Sequence, residues 1–273
     1  MTLDELLHNP KALPTAPKVL EDLISSFENP DVSVDQITRT LSADPVLSAK
    51  LLRLANSAYY HVSRSIGTVD EAVRMLGFVT VRTLVISSGL VNGFRTAPGL
   101  DLPRFWRYSL GTAVAARWLA KKTGENSDLA FTIGLMHAIG QVIIHAGMPE
   151  QAAQLDDEVG CYEPGRMEHE DATLGFNFSD VGAGLAQRWK FPGVFTRTIQ
   201  DFPDPLGGPE PDRLACVVNL AAWRARLDET GETAAGDAMP VAVAAVFGLE
   251  PALLLDEMPA LGELSAGLEE LIS

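Results

Sequence analysis

Apolar residues recur at three- and four-residue intervals along most of the chain, which is the pattern of amphipathic helices. Capping boxes begin two of these stretches, at Ser33–Gln36 and Thr68–Glu71, and an Asp-Pro pair at 44–45 supplies a cap residue followed by a first-turn proline. The pattern predicts helices over about 33–43, 45–56, 68–76, 80–92, 102–123, 127–146, 179–189, 193–202, 212–228 and 251–272.

No segment alternates apolar and polar residues with the period of two that a half-buried strand requires. Glycine and proline break the helical pattern at 92–103 and, most strongly, at 203–209, while 160–175 is polar and is predicted to be irregular. The predicted fold class is therefore all-α, built by packing helices against one another.

The composition of the chain limits the classes of partner and the cellular compartment that can be expected. The chain has 273 residues, 47% of them apolar, and a net charge of −15, so attraction to nucleic-acid phosphates or anionic membranes is not expected. The uncharged stretch between Asp128 and Glu150 is long enough to cross a bilayer, but its histidines, glutamine and glycines favour a buried helix of a globular protein. The first residues lack the basic and apolar regions of a secretory signal, so the cytoplasm is the expected location.

The charge is concentrated towards the end of the chain. Residues 206–273 carry 12 acidic and 3 basic side chains, whereas residues 1–205 carry 24 and 18. This surface either keeps the protein soluble or forms an acidic docking face for a basic partner, for which the candidates are Asp256, Glu257, Glu269 and Glu270.

Histidine is scarce, which limits the chemistry that the chain can carry. The sequence contains five histidines and no Gly-rich phosphate loop, HExxH or GxSxG motif. His137 is the most suggestive of them because it lies in the apolar segment GLMHAIG at 134–140. The plainer interpretation of His137 is a core histidine bonded to a backbone carbonyl.

Several segments together resemble a known family. GLMHAIG resembles the GLLHDIG signature of HD-type metal-dependent phosphohydrolases, and the wider chain, over about 12–205, resembles the HDOD domain, an HD-related output domain of bacterial signalling proteins. A lone GLxHxIG is a weak signal, but the other matching segments make the resemblance specific. They are LP at 13–14, DPVLSAKLLRLANSA at 44–58, IGTVDEAVRMLG at 66–77 and RWKFP at 188–192.

The departures from the HD pattern bear on function. HD phosphohydrolases hold metal ions with a His-Asp pair and further histidines, whereas here Ala138 follows His137. The positions at which related proteins carry more histidines are occupied by Phe178 and by Asp201–Phe202. A catalytic metal usually needs three or more protein ligands. The resemblance therefore implies a vestigial HD motif at His137 and Ala138, with no metal, no cofactor and no catalytic residue expected.

The resemblance implies a two-lobed fold related to HD-domain phosphohydrolases. Residues 1–100 are expected to form an N-terminal helical lobe, 101–205 a degenerate HD-like lobe, and 206–273 an acidic helical extension packed on or appended to that second lobe. The implied role is a non-catalytic signal-transduction regulator that acts through protein–protein interaction, in two-component or cyclic di-GMP signalling.

Two alternatives remain open at this stage. One is a sensor that uses the vestigial HD cavity for a small ligand or nucleotide, such as a cyclic dinucleotide, and the other is a residual metal-dependent phosphohydrolase. The arginines that could contact a phosphate are Arg104, Arg107 and Arg188. Asn56, Ser57, Tyr59 and Tyr60 follow a predicted helix end, where they either cap it and pack inward or contact a partner or ligand.

Overall fold

The computed structural model describes residues 1–27, 33–60, 62–231, 239–250 and 255–272. These residues contain helices, turns and loops but no strand, so the predicted all-α fold class is confirmed. The first six helices are α1 (Leu3–Leu7), α2 (Lys18–Ser25), α3 (Val34–Ala43), α4 (Pro45–Ala55), α5 (Val69–Leu76) and α6 (Phe78–Gly93).

The middle of the chain forms a second group of helices around α7. Its members are α7 (Leu102–Thr123), α8 (Ser127–Met136), α9 (Ile139–Gly147), α10 (Pro149–Glu158), α11 (Arg166–Leu174), α12 (Phe178–Arg188) and α13 (Gly193–Asp201). α7 is the organising element, because α8 packs along it from this group and a later helix packs along it from the C-terminal part of the chain.

That later helix is α14 (Arg213–Thr230), which α15 (Val241–Ala245) and α16 (Leu261–Ser265) follow. We name residues 255–272 the C-terminal strap. Its helix α16 packs on α7, and its 3₁₀ turn Glu269–Leu271 packs on α4 and α6. The strap therefore contacts both groups of helices, whereas the extension was expected to be packed on or appended to the second lobe.

The packing of the N-terminal residues crosses the lobe boundary expected at residue 100, and that boundary stays a prediction. α1 packs against α9 and α12 rather than against the helices that follow it. Leu6 is fully buried, and the indole Nε1 of Trp189 donates to the carbonyl oxygen of Pro14 at 3.1 Å. The start of the chain thus belongs to the second group of helices.

The helix predicted over 127–146 is two helices, α8 and α9, separated at His137 and Ala138. The His137 ring bonds to the carbonyl oxygen of Gly134, and a side chain that enters the backbone hydrogen-bond ladder breaks a helix at that point. Taken together, Ser127–Gly147 is long and apolar enough to cross a membrane, yet 89% of its most apolar window is buried inside the protein.

Two other predictions were wrong in detail. The region 160–175, predicted to be irregular, contains α11, whose buried side chains are Arg166 and Glu170 rather than apolar residues. The predicted helix over 251–272 consists of short pieces, α16 and the 3₁₀ turn among them, while 251–254 lie outside the described residues. The spacing of apolar residues in the sequence indicates neither of these two differences.

Candidate functional site

His137 lies at the break between α8 and α9 and is 1% exposed. Its Nδ1 lies 2.7 Å from the carbonyl oxygen of Gly134. A carbonyl oxygen only accepts hydrogen bonds, so Nδ1 carries the proton and Nε2 is left as the acceptor of a neutral ring. Nε2 is buried and has no hydrogen-bond partner among the residues that the structure describes. The side chain is thus a core histidine tied to a backbone carbonyl, which was the plainer of the two interpretations.

Aromatic rings enclose this imidazole. The ring centroid of Tyr108 lies 5.0 Å from that of His137 and the centroid of Phe202 lies 5.2 Å away, both edge to face. Phe178 in turn lies 6.0 Å from Phe202. We name these four residues the His137 cluster. Two of its members, Phe178 and Phe202, occupy the positions at which the resemblance places further histidines in related proteins.

Burial controls the charge of His137. The absence of water around the ring lowers the pKa of His137 to about 4, and the hydrogen bond to Gly134 only partly opposes this. Burial likewise raises the pKa of Tyr108 above its ordinary value. At neutral pH the cluster is therefore uncharged and presents rings rather than charged ligands.

This pKa predicts an acid-sensitive contribution to stability. Between about pH 6.5 and pH 4 the unfolded chain binds a proton at residue 137 that the folded chain does not bind, so acidification lowers the free energy of unfolding. The full effect is roughly 3 kcal/mol. Urea unfolding at pH 7 and pH 4.5 should show that the native chain loses more stability than His137→Gln.

The exposed His8 provides the matched control, because His8→Gln removes one histidine without touching the cluster. His8→Gln should keep the pH dependence of the native chain. Equal losses of stability on acidification in the native chain and in His137→Gln would contradict the assignment of this pH dependence to the buried ring.

The residues around His137 do not fit a metal ion. The rings of Tyr108 and Phe202 pack edge to face on its ring, and Ala138 supplies no carboxylate. The carboxylates of Asp180 and Asp201 line a separate cavity. Within the described ranges, no three His, Cys, Asp or Glu side chains are grouped so that they could hold an ion. Metal binding needs several converging donor atoms, and this cluster offers one.

A buried polar network lies next to the cluster and connects α9, α10, α11 and α12. The guanidinium of Arg166, 2% exposed, donates to Glu170 at 2.7 Å and to Asp156 at 2.7 Å. Glu170 is fully buried and also accepts from the side-chain amide of Gln141 at 2.7 Å and from the backbone N–H of Phe178 at 2.6 Å. The network thus fixes the start of α12, where the Phe178 ring of the His137 cluster is attached.

His145 completes this network from α9. Its Nδ1 lies 2.6 Å from the carbonyl oxygen of Gln141 and its Nε2 lies 2.9 Å from a carboxylate oxygen of Asp156. Burial by itself raises the pKa of Asp156, but hydrogen bonds and charge from His145 and Arg166 outweigh burial and hold that pKa below its usual value. The sequence analysis did not predict this network. The one pattern in the sequence that could have indicated it is the four-residue spacing of polar residues, 141 with 145 and 166 with 170.

Most of the candidate contact residues after α4 already make contacts within the protein. Asn56 joins two segments, since its Oδ1 accepts from the N–H of Ile66 at 2.7 Å and its Nδ2 donates to the carbonyl oxygen of Ile66 at 2.9 Å. Tyr59 accepts a hydrogen bond from Arg117 at 3.0 Å, and its ring stands edge to face with that of Tyr60 at 4.8 Å. Asn56 therefore acts as a structural clamp.

The strap covers part of the same segment. A Cβ added at Gly267 would lie 3.0 Å from Ser57 Oγ and from the backbone nitrogen of Tyr59. Burial raises the pKa of Tyr60 to about 12, which the neighbouring Arg117 only partly opposes. Contact between these residues and another molecule stays a prediction, and it would involve a surface that the strap already approaches closely.

The structure does not bring the three candidate phosphate contacts together. Arg104 and Arg107 both reach a carboxylate oxygen of Glu229, at 3.1 Å and 3.4 Å. Arg188 is exposed at the end of α12 and has no hydrogen bond or ion pair to either of them. The paired arginines thus serve to hold α14 against α7.

The four candidate acidic docking residues differ in whether they already have a partner within the protein. Glu257 pairs with Lys122, and Glu270 pairs with Arg53 at 3.1 Å, so both help to hold the strap to the helices beneath it. Glu269 accepts from the backbone N–H of Gly267 at 2.6 Å. Asp256 is exposed. Of the four, Asp256 is the most suitable for contact with a partner.

The sequence matches the HDOD domain family over residues 13–205. A curated relative from Treponema pallidum, itself an uncharacterized protein, is 29% identical over 192 residues. The match covers 69% of this chain but 37% of that relative, so the chain corresponds to about a third of the relative's length.

Solved structures are similar over nearly the whole chain. A protein from Shewanella amazonensis SB2B, provisionally named a phosphohydrolase, is 31% identical with a TM-score of 0.78 and covers 98% of both chains. An HDOD domain protein of unknown function from Geobacter sulfurreducens is 26% identical with a TM-score of 0.79, covering 95% of this chain and 93% of that one. A protein from Marinobacter aquaeolei VT8, provisionally named a signal transduction protein, shares the fold at 23% identity and a TM-score of 0.72, covering 100% of this chain and 60% of its own.

Proposed function

We propose that this chain, which belongs to the HDOD domain family, is a non-catalytic regulator of bacterial signal transduction that acts in the cytoplasm by binding another protein. The partner would be a component of two-component or cyclic di-GMP signalling. Signalling is favoured by similar folds among proteins named for signal transduction and response regulation.

The observation that carries the non-catalytic part of the proposal is the His137 cluster. In an HD enzyme this region supplies metal ligands, and here it supplies the rings of Tyr108, Phe178 and Phe202 around one neutral imidazole. A ring of this kind can neither hold an ion nor orient a water molecule for attack on a phosphate. The helical framework around the cluster is nevertheless intact, which favours a role that depends on shape.

Hydrolysis assays test this part directly. Purified protein should give no turnover of cyclic di-GMP or of para-nitrophenyl phosphate above background with Mg²⁺ or Mn²⁺, and His137→Gln should behave like the native chain. Metal-stimulated turnover that His137→Gln abolishes would overturn the proposal and would favour a residual phosphohydrolase instead.

The interaction part of the proposal concerns the acidic extension. Asp256 on the strap and Glu263 on α16 are exposed, and their side chains have no hydrogen bond or ion pair among the described residues. They are better probes than Glu257 and Glu270, whose neutralisation would also loosen the strap. A basic partner that docks here should bind less tightly once these two charges are removed.

The corresponding experiment uses a partner that is captured by cross-linking, identified and then purified. Its direct binding should weaken when salt is raised from about 0.1 M to about 1 M, because the screening length falls from about 10 Å to about 3 Å. The double variant Asp256→Asn with Glu263→Gln should weaken binding, whereas the control Glu150→Gln with Asp157→Asn, on exposed positions of α10, should not. Equal binding by both double variants would contradict docking on the extension.

A further inference from the structure

A cavity of about 310 Å³ opens beside the His137 cluster. Tyr108, Phe178 and Phe202 are among its lining residues, so three members of the His137 cluster also border this space. Tyr162 and Trp223 add two further rings to its walls. The volume is at the lower end of the range of small-molecule sites, which begins at about 300 Å³.

The extension provides one wall of this cavity. Asn219, Ala222 and Trp223 lie on α14, and Pro240 lies just before α15. All four come after residue 205, where the match to the HDOD family ends. The part of the chain outside the family match therefore closes a space above the vestigial HD motif, in addition to any role in docking.

One polar atom on the lining of the cavity lacks a partner among the described residues. Trp223 is 7% exposed, and its buried indole N–H meets no acceptor there. Tyr162 differs, because its hydroxyl interacts with the thiol of Cys161, which also lines the cavity. Most buried polar atoms in folded proteins are paired, so the unpaired indole N–H points to a ligand that supplies a hydrogen-bond acceptor.

The charges near the cavity disfavour a phosphate. The guanidinium of Arg166 is bonded to Glu170 and Asp156, and Arg104 is paired with Glu229 while it stacks over the Tyr162 ring at 4.8 Å. Glu163 and Glu168, which also line the cavity, are exposed carboxylates that repel anions. Arg226 lines the cavity too, and it already interacts within the protein. What the cavity offers is ring surface, for which planar π-systems have a specific stacking preference.

We propose that this cavity binds a small, uncharged, planar heteroaromatic compound, which stacks on the rings and accepts a hydrogen bond from Trp223. The site goes beyond the proposed function and does not depend on it, because a regulator with or without a protein partner can carry a ligand cavity. It differs from the nucleotide site that the sequence left open as an alternative, since Arg104, Arg107 and Arg166 are already paired with carboxylates.

The test follows Trp223 fluorescence during titration with defined probes: adenine, adenosine and quinoline, with cyclohexanol as the non-aromatic comparison and adenosine 5′-monophosphate as the charged one. At least one planar ring should give a saturable change, which Trp223→Phe removes. Adenosine 5′-monophosphate should bind more weakly than adenosine.

Two further variants separate a loss of ligand binding from a loss of folding. Ala222→Leu fills the cavity without removing a ring and should weaken binding by about tenfold or more. Trp118→Phe, on a different cavity beside Tyr59, should leave the affinity unchanged. The proposal is overturned if no ring gives a saturable response at roughly 1 mM. It is equally overturned if cyclohexanol matches the rings or if Ala222→Leu binds as the native chain does.

Discussion

Arg166→Met is expected to lower the free energy of unfolding by about 3–5 kcal/mol, because it leaves buried carboxylates without their counter-charge. Glu170 is fully buried, and its partner guanidinium also holds Asp156 and donates to the carbonyl oxygen of Val159. Methionine preserves most of the side-chain volume, so the loss reports charge and hydrogen bonding rather than a cavity. Urea unfolding at pH 7, followed by circular dichroism, measures it.

Arg197→Met is the matched control. Arg197 pairs with Asp212 at 3.3 Å, but its side chain is 65% exposed, and exposed pairs contribute about 0–1 kcal/mol. A loss in Arg166→Met no larger than the loss in Arg197→Met would mean that the buried network does not stabilise the fold as its geometry implies.

Gly140→Ala should be comparably damaging, with an expected loss of about 3 kcal/mol or more. A Cβ at residue 140 would lie 1.9 Å from the carbonyl oxygen of Phe178 and 2.7 Å from its carbonyl carbon. These are backbone atoms, which cannot rotate aside as a side chain can. α9 and α12 would have to separate, and the Phe178 ring would move away from Phe202. The unfolding measurement used for Arg166→Met applies here as well.

Gly193→Ala provides the comparison for Gly140→Ala. Gly193 is the exposed first residue of α13, and an added Cβ would meet no atom within 4 Å. Its stability should change by less than about 1 kcal/mol, since alanine is the better helix former. Similar losses in the two variants would show that the approach of α9 to α12 is looser than the structure has it.

The sequence predicted those helices whose apolar faces are packed on a neighbour and whose ends carry capping residues. α7 begins after Asp101, whose side chain accepts from the N–H of Arg104 at 3.0 Å, and it ends before Gly124, as the pattern indicated. For such elements local preference and packing favour the same structure, so periodicity is sufficient.

The prediction of helices from sequence failed where polar side chains replace apolar ones inside the protein. α11 buries Arg166 and Glu170, so a search for apolar periodicity finds no helix there. The break at His137 is likewise set by a side-chain hydrogen bond to Gly134, which hydropathy does not register. Both departures depend on contacts that form only after distant helices pack.

The candidate site was predicted only in part, because some of its residues come together only when distant helices pack. The resemblance indicated Ala138, Phe178 and Phe202 as positions where ligands are missing, and the structure brings the two phenylalanines together near His137. Tyr108 and Trp223 had no such signal. They belong to α7 and α14, which are far from the motif in sequence and reach it only through the packing of α14 along α7.

The protonation of His137 tests the central claim most directly. In ¹⁵N-histidine spectra at pH 7, assigned with His137→Gln, residue 137 should be neutral with its proton on Nδ1, and its signals should not move when Zn²⁺ or Mn²⁺ is added. An Nε2 resonance that shifts or broadens with stoichiometric metal, or a protonated ring at this pH, would contradict an apolar vestigial site and would reinstate a metal centre at this position.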